Sequence, residues 1–201
     1  MEKFNVDLEI ISSDELAFFS KIKSKDNISV YWNKVYEPDQ IKLDKKIIEL
    51  FDKNKINSKS FKGNVLNEYN KVTKDDGTPY KVYSPFWRYG EQVYLESVPS
   101  KQLNLKKQTK KVKYFKSNFK AEQILPKYKW FKKFEKYWIP SEKESEKFLN
   151  EFTKSGISKY GIDRDFPSIN GTSKLSPYIR NGQIHVSNIW EKCYKFKSKS
   201  I

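Results

Sequence analysis

The sequence predicts an α/β arrangement followed by an α arrangement, and three observations carry that prediction. From Val6 to Leu66 the apolar pattern runs strand, helix, strand, helix, strand, the order of a parallel sheet with crossover helices. After Pro140 the periodic stretches are helical. Between them lies a long basic connector: residues 101–136 hold thirteen lysines against Glu122 and Glu135, net +11. The boundaries read as 1–88, 89–140 and 141–201.

Each element has a local reason. Val6, Leu8 and Ile10 alternate as in a strand, and Ser12 with Glu15 makes a capping box. Leu16, Phe19 and Ile22 give the helix that follows an apolar face. Ile28 to Trp32 reads as the second strand. Glu37-Pro38-Asp39 then opens a helix with Ile41, Ile48 and Phe51 on one stripe, and Ser58 to Leu66 is a third strand running into a loop. Three strands starting from Met1 resemble the second half of a larger sheet, since parallel sheets usually have more strands and two covered faces. No GxGxxG or GxxxxGK is present, so no dinucleotide or P-loop site is marked. Lys74 to Pro79 is a turn. Tyr80 to Arg88 is rich in aromatics that either close a domain edge or stack on bases. Trp130, Phe131, Phe134, Tyr137 and Trp138 fall at helical spacing within a connector that otherwise lacks periodicity. Ser141 and Glu144 form a second capping box, with Phe148, Leu149 and Phe152 facing inward and Gly156 ending the helix. Val186, Ile189, Trp190 and Cys193 fall at i, i+3, i+4 and i+7 of a last helix.

Composition bounds the function. At 201 residues, 37% hydrophobic and 32% charged, the chain is long enough for one domain or two small ones. No apolar run approaches the roughly 20 residues of a membrane span. The start, MEKFNVDLEII, lacks the apolar core and cleavage site of a signal peptide. The expected location is cytoplasmic and the expected state a monomer. One cysteine and one histidine exclude an internal disulfide and a thiolate–imidazole metal cluster. Cys193 reads as a small buried hydrophobe, and His185, with no triad partners, as structural or solvent-exposed. The net charge of +15 favours a polyanionic partner. However, 37 of the 40 basic residues are lysine, which offers no bidentate phosphate fork. The connector is either solvated or a DNA contact.

The densest signal is Tyr160 to Gly182, YGIDRDFPSINGTSKLSPYIRNG. Asn170-Gly171 is a turn whose glycine permits close backbone approach or φ > 0. Thr172, Ser173 and Ser176 present hydroxyls and amides ahead of a helix that Ser176-Pro177 starts and Asn181-Gly182 stops. Two readings stand: a capped helix after a tight turn, or an anion site suited to phosphate.

Three blocks, in order, are similar to one family. Val30-Tyr31-Trp32-Asn33-x2-Tyr36-Glu37-Pro38 comes first, then Gly77-Thr78-Pro79-Tyr80-Lys81-Val82-Tyr83-Ser84-Pro85-Phe86-Trp87-Arg88. The third is Tyr160-x3-Arg164-Asp165-Phe166-Pro167-x3-Gly171-Thr172-Ser173-Lys174-Leu175-Ser176-Pro177-Tyr178. Together they resemble the DNA photolyase/cryptochrome family over most of the chain, from about Val6 to Trp190. The resemblance implies a partial Rossmann-like α/β domain, the connector, and the first helices of an all-α FAD-binding domain. It implies FAD contacts from Tyr160, Thr172, Ser173, Lys174, Leu175 and Ser176, the hydroxyls and amides holding the diphosphate. Lys174 stands where the family more often has arginine, which keeps the charge and loses the fork. Arg164 is implied as a contact to UV-damaged DNA, the alternative being an ion pair with Asp163 or Asp165.

The implied activity is that of a deoxyribodipyrimidine photolyase, a carbon–carbon lyase that splits a flipped-out cyclobutane pyrimidine dimer by light-driven electron transfer from reduced FAD. No side chain is implied as an acid, base or nucleophile. Family members are longer at both ends, so the resemblance implies a fragment that is inactive alone. An antenna chromophore, folate or other, is left open: folate-antenna members carry Asn-Glu just after the Tyr-Glu block, and the corresponding residues here are Asp39-Gln40. The alternatives are a cryptochrome-like blue-light photoreceptor and a non-enzymatic, lysine-rich nucleic-acid binder.

Overall fold

Val30 and Trp32 point one way and Ser29, Tyr31 and Asn33 the other, the period-two geometry of a strand with one covered face. A computed structural model of the chain describes residues 8–23, 28–96 and 115–197. It divides into two units, Met1–Gly63 with Ser100–Trp130, and Asn64–Pro99 with Phe131–Ile201.

In the first unit, helix α1 (Glu15–Phe19) precedes strand β1 (Ser29–Asn33), helix α2 (Pro38–Lys53) and strand β2 (Asn57–Phe61). The two strands pair in parallel, Val30 opposite Ser58 and Trp32 opposite Ser60. Helix α2 is the crossover. Pro38 starts it, where its missing N–H costs nothing. Ile47 and the fully buried Phe51 are its core residues, Ile48 lying half-buried beside them. Phe51 meets Phe19 edge-on at 5.2 Å and Trp32 at 6.1 Å, within a cluster completed by Ile22 and Ile56. The α/β reading is therefore observed, with two strands rather than three among the described residues. Val6, of the expected first strand, lies outside those residues, and Leu8 to Ser12 form no strand. Instead Ser117 and Asn118 grip them. Ile10 N–H donates to Ser117 Oγ, Asn118 N–H donates to Ile10 O, and Ser12 exchanges two bonds with the Asn118 side chain. The cap of α1 moves accordingly. Asp14, not Ser12, accepts from Ala17 N–H at 2.8 Å.

The second unit opens with the expected turn at Lys74–Pro79, where Gly77 has φ 79° and Thr78 donates twice to Asp76. The aromatic block and the residues beyond it, which showed no periodicity, form helix α3 (Tyr83–Glu96). Its Gly90 and Tyr94 are buried, and Trp190 packs edge-on against both Tyr94 and Trp87. The aromatic stretch at 130–134 is a short 3₁₀ turn, Trp130–Phe134. Helix α4 (Glu142–Glu151) is capped by Ser141, whose Oγ accepts from Glu144 N–H. It runs on into a π turn, Phe152–Gly156, so the helical stretch stops at Gly156 as expected. Helices α5 (Tyr160–Asp163), α6 (Ser176–Arg180) and α7 (Val186–Lys197) follow. Leu149, Leu175, Tyr178 and Ile184 form the core, with Trp138, Phe148, Ile179, Ile189 and Cys193 packed on it. No helix among the described residues is long and apolar enough to cross a membrane.

Candidate functional site

The candidate site is the wall Thr172–Ser176, and its shape follows from one glycine. A Cβ on Gly171 would sit 2.6 Å from the backbone carbon, oxygen and Cβ of Asp163. Close approach, rather than a left-handed φ, is therefore why glycine occupies this position. The left-handed residue is Lys174, with φ 54°, followed by Leu175 in the right-handed region at φ −84° and ψ −12°. Such an alternation turns successive N–H groups toward one concavity, the arrangement of an anion-binding nest. Among the described residues none accepts a hydrogen bond from the N–H of Thr172, Ser173, Lys174, Leu175 or Ser176. The hydroxyls of Thr172, Ser173 and Ser176 are likewise uncommitted, and no described carboxylate pairs with Lys174.

Leu175 anchors the wall. Its side chain is 2% exposed in the core, so only its backbone faces the site. Ser176 is the first residue of α6 and Leu175 its cap, which corrects the expectation that Ser176 caps the helix. The stop is as expected: Asn181 ends the helix and Gly182 has φ 68°. Thr172, Ser173 and Lys174 line a cleft of about 70 Å³ with Asn170, Phe152 and Gly156. Glu151 lies in the same lining and opposes an anion there. The π turn and Phe152 carried no site signal in the sequence.

Tyr160 joins this cluster through Phe152, the rings edge-on at 5.6 Å. Arg164 stacks its guanidinium on the Tyr160 ring at 5.6 Å, and its Nε lies 3.6 Å from Asp165 Oδ1. Both Arg164 and Asp165 are more than half exposed, so this pair is screened and weak. Asp39 pairs with Lys42 at 3.2 Å on the first turn of α2. Cys193 is half-buried against the core and burial raises its thiol pKa, against a smaller lowering by Lys192. His185 Nδ1 accepts from Ser187 N–H at the start of α7. Among the described residues no group of three or more metal-binding side chains occurs.

Together these features define a class: an α/β unit followed by a helical unit that carries a wall lined by backbone N–H groups. Comparison narrows it. The DNA photolyase family profile matches residues 1–104. Deoxyribodipyrimidine photo-lyase of Agrobacterium fabrum is 31% identical over 165 residues, covering 81% of this chain and 34% of that protein. The protein of the same name from Alkalihalophilus pseudofirmus is 34% identical over 134 residues, covering 65% and 27%. Cryptochrome-2 of Arabidopsis thaliana is 22% identical over 189 residues, covering 84% and 28%. The crystal structure of a bacterial class III photolyase from Agrobacterium tumefaciens superimposes with a TM-score of 0.76 at 27% identity, covering 95% of this chain and 40% of that one. The chain belongs to the DNA photolyase family. It spans about a third of the length of the curated relatives it matches.

Proposed function

We propose that this chain is a portion of a deoxyribodipyrimidine photolyase and that Thr172–Ser176 holds the diphosphate of FAD. The observation that carries this reading is the run of backbone N–H groups at a left-handed lysine that, with the neighbouring hydroxyls, have no hydrogen-bond partner among the described residues. Such groups favour a dianionic ligand because they are donors already oriented and not bonded elsewhere. Tyr160 supports the site's edge through Phe152, and Leu175 fixes the backbone by burying its side chain. The flavin, when bound and reduced, would supply the light-driven electron that splits a cyclobutane pyrimidine dimer. The protein's part is to bind and orient. Arg164, exposed and only weakly paired, is the candidate contact to the phosphate backbone of damaged DNA.

A cleft of about 70 Å³ accommodates a phosphate group but not an isoalloxazine ring, since small-molecule sites measure about 300–1,000 Å³. The 201-residue chain alone should therefore hold flavin weakly and repair nothing. Calorimetric titration tests both halves. FAD and adenosine diphosphate should bind with dissociation constants on the order of millimolar. Riboflavin, which lacks the diphosphate, should not bind. Equal binding of riboflavin removes the diphosphate assignment, and tight stoichiometric FAD with light-dependent dimer repair removes the inactivity of the isolated chain. A photoreceptor reading is favoured only by the cryptochrome-2 similarity. Equal affinity of a complete protein containing this sequence for damaged and undamaged DNA would support it.

A further inference from the structure

Between the core of the second unit and solvent lies a short turn, Phe131–Ile139, that the flavin site does not use. Tyr137 N–H and Trp138 N–H both donate to Phe134 O, at 2.8 and 2.9 Å, which closes the turn tightly. Trp138 packs on the Leu149–Leu175–Tyr178–Ile184 cluster, and its ring lies 6.5 Å from Phe134 and 6.3 Å from Tyr137. The two flanking rings thus stand on a fixed base, yet Phe134 is 51% exposed and Tyr137 60%. Lys132, Lys133 and Lys136 are exposed around them, and no described carboxylate pairs with any of the three. Lys136 Nζ sits 4.8 Å over the Tyr137 ring. Glu135 is the only acidic residue in the stretch.

A merely solvated lysine run needs no aromatic ring, and leaving the Tyr137 ring 60% exposed forgoes burial that normally stabilises a fold. We propose that this turn is a stacking platform for single-stranded nucleic acid. Lys132, Lys133 and Lys136 take backbone phosphates while Tyr137 stacks on an unpaired base. A duplex hides its base faces. An anionic membrane would call for an extended amphipathic helix, whereas the helical part here is the 3₁₀ turn ending at Phe134. The surface shares no residue with Tyr160–Ser176, so it stands or falls apart from the flavin reading.

Fluorescence anisotropy of a labelled oligothymidylate with the 201-residue chain, between 50 and 200 mM salt, tests it; these concentrations bracket the range over which phosphate contacts weaken markedly. The triple variant Lys132→Gln, Lys133→Gln, Lys136→Gln should flatten the log–log salt slope by about 2, at roughly 0.7 per phosphate for a single strand. Tyr137→Leu should weaken binding by roughly five- to 150-fold without changing that slope. Because Tyr137 is exposed, its circular dichroism and melting curve should match the unsubstituted chain, which separates stacking from misfolding. Unchanged affinity of Tyr137→Leu overturns the proposal. So does equal affinity for a hairpin duplex, or capture by phosphatidylserine vesicles with no oligonucleotide binding.

Discussion

Replacing Gly171 by alanine asks whether close approach to Asp163 shapes the anion wall. The added Cβ would meet three Asp163 atoms at 2.6 Å, two of them backbone. That is roughly 1 Å inside the optimal separation of about 3.5–4.0 Å. No rotamer can relieve it, so α5 or the wall must shift. Overpacking of this kind costs about 1–3 kcal/mol, while alanine returns about 0.4–1 kcal/mol by restricting the unfolded chain. The middle of those ranges leaves the clash ahead, a net loss of about 1 kcal/mol and at most about 2.6 kcal/mol. Gly161 is the internal control. It lies within α5, ten residues away in sequence, and a Cβ there meets nothing within 4 Å. Gly161→Ala should stabilise by about 0.5–1 kcal/mol through helix propensity. Urea melts followed by tryptophan fluorescence would read both variants, with unchanged m-values showing that stability alone moved. Shifts of the same sign, or a Gly171→Ala variant as stable as the unsubstituted chain, would refute the packing argument. If the wall is where FAD binds, Gly171→Ala should also weaken adenosine diphosphate binding, whereas Gly161→Ala should not.

Further outcomes follow from individual contacts. Ser141→Ala should cost about 1 kcal/mol by removing the cap of α4, and Asp14→Ala should likewise cost about 1 kcal/mol at α1; thermal melts would show both. Cys193 should react slowly with iodoacetamide at pH 8 in the folded chain and rapidly in urea, because burial raises its thiol pKa. Hydrogen bonds from the Thr78 hydroxyl and N–H lower the Asp76 carboxyl pKa. A depressed carboxyl stabilises above its unfolded value, so the Lys74–Pro79 turn should loosen as pH falls through the folded value. Carboxyl carbon NMR would show an Asp76 midpoint below that of a denatured control, and Thr78→Val should raise it.

Much of the fold is legible locally. The Pro38 start, the stripe ending at Phe51 and the Ser141 cap belong to short windows, and window and structure agree. Helix α3 was not legible: its first turn carries Ser84-Pro85, and its packing pair Gly90 and Tyr94 reads as a gap beside one more aromatic. Its apolar face is defined by Trp190, a partner about a hundred residues away in sequence. The candidate site shows the same division. Residues Tyr160 and Thr172–Ser176 were marked by their types and order, but Phe152 and the π turn were not, because what places them is contact with the wall.

Residue types alone determined that a hydroxyl-rich, lysine-bearing turn precedes a short helix, since hydroxyls, glycine and proline carry their preferences wherever they stand. Tertiary structure decided which of several equivalent candidates takes each role. Ser12, Ser13 and Asp14 can all cap α1, and Asp14 does so, with Ser12 held by Asn118 from across the chain. Ser176 could cap α6, but burying Leu175 pulls the backbone one residue earlier into the helix and puts the left-handed turn at Lys174. Ser and Asp are nearly equal as caps and losing a Ser cap costs about 0.5–2 kcal/mol, whereas burying one leucine is worth about 1.5–3 kcal/mol. The core therefore sets where the amides of the wall point.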